Sequence, residues 1–244
     1  LSVSDIKGKT FLECSTIDIE TSKVVATAIQ NRGAFFVDAP VSGGPAGAEK
    51  GSLTFMIGAG QDDPELGRIK DILSLMGANI FACGGPTLGL ATKICNNYIS
   101  GTIAIATAEG MNLAMRLGLD PRTFSDVLKV STGGSWVNSN CNVSALYSNV
   151  GFASLIAKPV PGVDPNAPAS KDYAPGFKVQ FMRKDYNLAI EAAETSNSKL
   201  YLGASGLQVY TDASLDERCV DKDSRVVFRF IGGNETWQET TARQ

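Results

Sequence analysis

The sequence predicts an α/β region followed by an all-α region. Three observations carry this. Up to about residue 85, short apolar runs alternate with amphipathic helical periods and glycine-rich breaks, as in a sheet built with crossover helices. From Pro86 to Leu117 one helical pattern runs without interruption. Beyond it, helical periods and loops dominate. The 244 residues suffice for two modest domains, divided here at 1–85 and 86–244.

Taken in order, Thr10 to Cys14 is a short apolar run and reads as a strand. Asp18 is placed to cap a helix over Ile19 to Asn31, with Val24, Ala28 and Ile29 on one side and Gly33 stopping it. Ala34 to Asp38 is the next strand, which completes the strand–helix–strand unit that a parallel sheet needs. Ala39 to Ala48 reads as a loop. Its Ser42-Gly43-Gly44 offers backbone N–H groups to a carboxylate, although a plain sharp turn explains the spacing as well. Leu53 to Ile57 is a strand, and Asp62 or Asp63 starts a helix whose core stripe is Leu66, Ile69, Leu73 and Met76. Asn79 to Cys83 is the last strand, broken from the long helix by Gly84-Gly85-Pro86.

The long helix is placed to line a cleft between the two regions. Lys93 and Asn97 lie four residues apart and so share one of its faces, in a run otherwise rich in Ile, Ala and Cys. Asp120-Pro121 starts another helix, with Phe124, Val127 and Leu128 as its apolar side. Pro159 to Pro175 reads as a long loop. A helix containing Lys184 and Asp185 follows, with Leu188, Ala192 and Thr195 along one face. Leu200 to Leu215 is a further helical run, and Asp223 caps Ser224 to Ile231. The polar tail, Gly232 to Gln244, is expected to fray.

Composition excludes several function classes. A net charge of −3 without a basic tail argues against a nucleic-acid partner. No charge-free run of about 18 apolar residues marks a membrane span. Five cysteines, an odd number and without CxxC spacing, read as reduced and mostly buried thiols. The count of histidines is 0, which removes the Ser/His/Asp and Cys/His triads, the HExxH site and the common histidine zinc sites. No metal site is expected, and an enzyme of this composition must move protons with Lys, Tyr, Cys, Asp or Glu.

Several segments together resemble one family. They are Cys14-Ser15-Thr16-Ile17-Asp18, Asp38-Ala39-Pro40-Val41-Ser42-Gly43-Gly44, Gly51 to Gly58, Gly89 to Asn97, Pro159-Val160-Pro161-Gly162-Val163, and Gly176-Phe177 with Lys184-Asp185 after it. Any one is weak, but in this order over most of the chain they resemble the β-hydroxyacid dehydrogenases, and within them the 3-hydroxyisobutyrate dehydrogenase family. The resemblance implies a partial Rossmann-like parallel sheet over 1–85. It implies a long interdomain helix leading into a helical domain like that of 6-phosphogluconate dehydrogenase. That domain would carry substrate and oligomer contacts, as a homodimer or homotetramer. By the same resemblance Lys93 is the general acid/base and Asn97 orients it and the substrate. Ser42, Gly43 and Gly44 hold the substrate carboxylate. Ser15 and Thr16 lie beside the cofactor, Lys184 reaches toward it, and Asp185 orients Lys184 or its helix. The cofactor is NAD, with NADP left open.

The implied reaction is oxidation of 3-hydroxyisobutyrate to methylmalonate semialdehyde in valine catabolism, in the mitochondrial matrix. A lysine whose pKa falls toward neutrality among apolar helix residues suits it. Tartronate or succinate semialdehyde reduction uses the same motifs. An inactive oligomerisation module is the alternative from another class. Two departures bear on this choice. The family's opening strand–GxGxxG–helix does not occur, so the sequence begins inside the cofactor domain, and an exposed sheet edge and weak cofactor binding are expected. Val143 to Lys158 reads as an insertion.

Overall fold

The computed structural model describes residues 6–135 and 159–238. The expected Val143–Lys158 insertion lies outside the described residues. The described residues fall into two compact units. One comprises the residues up to Asn97 together with Leu188–Lys199, and the other Tyr98–Asn187 with Leu200 onward.

In the first unit, β1 (Thr10–Glu13) pairs in parallel with β2 (Phe35–Asp38), joined by α1 (Ile19–Gln30). Asp18 caps α1 by accepting from the Thr21 N–H at 2.7 Å, and Gly33 turns the chain at φ 73°. The buried position of α1 is Ser22, whereas Val24 is exposed, which corrects the apolar side read from the sequence. The chain then crosses into β3 (Val41–Ser42), where the sequence predicted only loop. β3 runs antiparallel to β4 (Leu53–Ile57), with Val41 opposite Phe55 and Ser42 opposite Thr54. Between them lies the short α2 (Gly44–Glu49). β4 pairs in parallel with β5 (Gly77–Ala82) through α3 (Leu66–Ser74). Backbone bonds from Gly58 N–H to Asp38 O (2.8 Å) and from Met56 N–H to Pro40 O (3.0 Å) tie the end of β2 to β4.

The core of this unit is Val37, Ala39, Phe55, Ile57, Ala59, Leu66, Ile69 and Leu73. The three α3 residues are the predicted stripe; Met76 falls beyond the helix and is exposed. Each fully buried Leu, Ile or Phe here contributes about 1.5–3 kcal/mol relative to exposure.

The long helix, α4 (Leu88–Arg116), begins in the first unit and ends in the second. The second unit continues with α5 (Pro121–Val130), capped by Asp120, which accepts from Thr123 N–H at 2.9 Å. Its buried residues are Pro121 and Ser125, and Val127 is exposed, against the predicted apolar side. α6 (Val179–Thr195) begins in the second unit and ends in the first; its buried residues are Val179, Met182, Asp185, Tyr186, Ala189 and Ala193, a different face from the one the sequence favoured. α7 (Gly203–Leu215) follows, then a 3₁₀ turn, Ser224–Val226, leading into α8 (Val227–Phe230). Asp223 caps that turn as expected.

Two loop expectations change. The Pro159–Pro175 stretch contains a 3₁₀ turn, Pro168–Lys171, and buries Val160 and Tyr173. The tail does not fray as far as Gln238. Trp237 is buried, donates to Pro161 O at 2.9 Å and carries the Arg122 guanidinium over its ring at 4.8 Å.

Candidate active site

The site is assembled where β2 ends. A parallel sheet presents all its strand ends on one edge, and ligands of open α/β folds bind outside the carboxyl ends. Here β1 runs out into Ser15-Thr16, and β2 into Asp38-Ala39-Pro40 and then Ser42. Glu13 stands opposite Asp38, and Ala39 N–H donates to Glu13 O at 2.8 Å, so both exits leave side by side. Ser15 is exposed and its N–H is held by the Glu13 carboxylate at 2.8 Å; Thr16 is half-buried. Burial, then the neighbouring Glu13, pushes the Cys14 thiol above its usual range.

Ser42 is followed by Gly43 at φ 133° and Gly44 at φ 61°, which open α2. These are backbone conformations that a side chain resists. Amides at such a start have no partner within the helix and face outward.

The start of α4 meets this segment. Asp38, 2% exposed, accepts from Thr87 N–H at 2.8 Å through Oδ1 and from Leu90 N–H at 2.9 Å through Oδ2. Thr87 is held at φ 68°, which costs a β-branched residue about 1–2 kcal/mol. Three residues past Leu90, the Lys93 ammonium donates to Ser42 Oγ at 2.8 Å. One turn on, Asn97 Oδ1 accepts from Asn96 Nδ2 at 3.1 Å. Lys93 and Asn97 are 7% and 6% exposed. The structure therefore joins Lys93 directly to the Ser42-Gly43-Gly44 segment and sets Asn97 on the same buried helix face.

Lys184 and Asp185 belong to the second unit. Lys184 Nζ lies 2.9 Å from Asp185 Oδ1, the lysine side chain 48% exposed and the aspartate 1%. Beside them Tyr186 is buried; its hydroxyl shares a 2.6 Å hydrogen bond with Thr102, and its ring tilts against Tyr98 and Tyr210. Burial pushes the Tyr186 phenol up, partly offset by the Thr102 bond. Among the described residues no group of three or more His, Cys, Asp or Glu could hold a metal ion.

Comparison with known proteins bears on this arrangement. A family profile described as NAD-binding of NADP-dependent 3-hydroxyisobutyrate dehydrogenase matches residues 88–231. The chain belongs to that family. A second profile, NAD binding domain of 6-phosphogluconate dehydrogenase, matches residues 3–85. The human mitochondrial 3-hydroxyisobutyrate dehydrogenase is 37% identical over 231 residues, which covers 95% of this chain and 63% of the human protein. The NAD-dependent L-serine dehydrogenase of Pseudomonas aeruginosa is 39% identical over 203 residues, covering 83% of this chain and 62% of that protein. The chain thus spans less than two thirds of these relatives' length. A solved structure of the Mycobacterium tuberculosis 3-hydroxyisobutyrate dehydrogenase with L-serine superposes at TM-score 0.78 with 33% identity, over 92% of this chain and 70% of that one. The 3-hydroxyisobutyrate dehydrogenase family is one of NAD(P)-dependent oxidoreductases, and this member has its mixed α/β and helical fold.

Two buried aspartates do more than the sequence assigned them. One is Asp38. The other is Asp223, whose carboxylate accepts from Phe177 N–H at 2.9 Å and Arg225 N–H at 3.0 Å and pairs with the Arg225 guanidinium. A signal for Asp38 was present: an acid closing an otherwise apolar strand must find buried donors.

Proposed function

We propose that this chain carries the acid/base and carboxylate-binding half of a β-hydroxy acid dehydrogenase, with 3-hydroxyisobutyrate as substrate and methylmalonate semialdehyde as product, in valine catabolism. The observation that carries the reading is the 2.8 Å bond between Lys93 Nζ and Ser42 Oγ. It puts the one buried lysine of the long helix's first turns against a loop suited to an anion. A β-hydroxy acid has its carboxylate two carbons from its hydroxyl, so one anchor and one base address both groups.

The division of labour follows. Ser42 and the Gly43 and Gly44 amides hold the carboxylate. Lys93, as free amine, takes the hydroxyl proton as the carbonyl forms; in the reverse direction its ammonium donates to the oxygen on which negative charge builds. Asn97 keeps the hydroxyl and Lys93 in line without altering charge. NAD or NADP supplies the hydride acceptor at the substrate carbon when bound. The residues present fit one side of that group: exposed Ser15 and half-buried Thr16 leave the carboxyl end of β1. No GxGxxG turn for its pyrophosphate occurs in the sequence. Lys184 and Asp185 extend the proposed set on the resemblance alone. The domain division at 1–85 and 86–244 is part of the same proposal. So are a mitochondrial location, in keeping with the human relative's name, and homo-oligomer formation, which exposed Leu113, Leu117, Val127 and Val130 on the second unit would serve.

L-Serine is a second reading. It shares the carboxylate and β-hydroxyl, and it is named both for the Pseudomonas relative and in the Mycobacterium complex. Steady-state oxidation of 3-hydroxyisobutyrate and L-serine, each with NAD⁺ and NADP⁺, separates the two. The proposal expects kcat/KM for 3-hydroxyisobutyrate to exceed that for L-serine by about tenfold or more, because L-serine puts an ammonium where 3-hydroxyisobutyrate has a methyl. The reverse order would establish the serine reading.

A further inference from the structure

We infer that Asp38 is a positioning residue for the reaction, fixing the start of α4 so that Lys93 meets Ser42. The inference rests on the reading of Lys93 as the acid/base. A buried helix start leaves amides that need acceptors from elsewhere, and a carboxylate also complements the helix dipole. Asp38 gives one oxygen to Thr87 N–H and the other to Leu90 N–H. The same strand exit, four residues on, supplies the Lys93 acceptor. Strand exit and helix are thus bonded at two levels, 38 to 87 and 90, and 42 to 93. A slip of one residue turns a helix by about 100° and carries Lys93 off the loop.

The surroundings are cut to this carboxylate. A Cβ at Gly58 would stand 2.0 Å from Asp38 Oδ1, and one at Gly89 would stand 2.8 Å from Oδ2 and 2.2 Å from Met56 O. Glycine at both places lets the backbone of β4's end and of α4 close on the acid. Thr87, held at φ 68°, also accepts from Ala91 N–H at 2.9 Å, so the first turn of α4 hangs on the residue that these bonds fix. Its relaxation would move the turn that carries Lys93.

The test reads the placement of Lys93 without substrate or cofactor. The full chain is acetylated competitively with acetic anhydride between pH 7 and 10, and Lys93 and exposed Lys50 are followed by mass spectrometry. In Asp38→Asn the shape is kept, but one of the two amides faces an NH₂ group. Lys93 acetylation relative to Lys50 is expected to rise about tenfold or more, as loss of one charge-assisted hydrogen bond sets for local opening. Leu73→Ala, which hollows the core of the same unit, should lower the melting temperature without changing that ratio. If Asp38→Asn lowers the melting temperature and leaves the Lys93 ratio unchanged, Asp38 is only a structural cap and the inference is overturned. Should Asp38→Asn yield no folded chain, Gly89→Ala, which presses on the same carboxylate, is read identically. An active Lys93→Ala variant would instead remove the catalytic reading and leave the labelling result intact, so the two failures are distinct.

Discussion

Lys93 and Asp38 are opposite charges placed in buried positions for different ends. Burying an ammonium or a carboxylate is costly unless hydrogen bonds replace water. Ser42 does this for Lys93, and two amides do it for Asp38. The packing around Asp38 gives a prediction of definite sign. Gly58→Ala forces a Cβ against the carboxylate and should lower unfolding free energy by about 1–3 kcal/mol in urea titrations. Gly67→Ala, in α3 with open space around it, should raise it by about 0.5–1 kcal/mol. Equal effects at the two sites would contradict the packing argument. At this scale the candidate set was legible because Lys93, Asn97 and Ser42 sit in ordered motifs. Asp38 was printed in the same motif but not read, because its donors lie 49 and 52 positions away.

Elements were legible where their signals are local. Asp18 and Asp120 cap their helices as their sequences indicate, since the bond closes within three residues. Asp120→Ala should therefore cost about 1 kcal/mol, measured as a lower melting temperature, and Asp120→Asn should recover most of it. An unchanged Asp120→Ala transition would mean that α5 does not depend on its cap. Elements were misread where long-range packing decides. β3 is two residues long and exists through its pairing with β4. The inward faces of α1 and α5 carry Ser22 and Ser125, while Val24 and Val127 face out. A small side chain allows close approach, and apolar periodicity alone does not reveal it. Trp237 looked like part of a polar tail because its partners, Pro161 and Arg122, are far off in sequence.

At the scale of the molecule, the α/β and helical regions were legible from the change of period near residue 85, and the compact units divide later, within α4. Acid stability follows from paired carboxylates in the second unit. Asp172 is held below its usual range by Lys222 and then Arg229, and Asp221 by Lys178. A folded pKa below the unfolded value of about 3.9 gives stability that is present above that pH and lost as pH falls through the folded value. These groups thus contribute no slope between pH 7 and 5 and a falling melting temperature below about pH 4. Salt should reduce the effect, because the pairs are exposed. A Lys222→Ala variant with the wild-type acid slope would contradict this assignment. The central claim, that Lys93 moves the proton, is tested most directly by single-turnover hydride transfer from 3-hydroxyisobutyrate to NAD⁺ in wild type and Lys93→Ala, with folding checked by circular dichroism. The account predicts a rate lower by about 10²–10⁴-fold in the folded variant, the range for loss of a general acid/base. A folded Lys93→Ala that transfers hydride within about twofold of wild type, far inside that range, would contradict it.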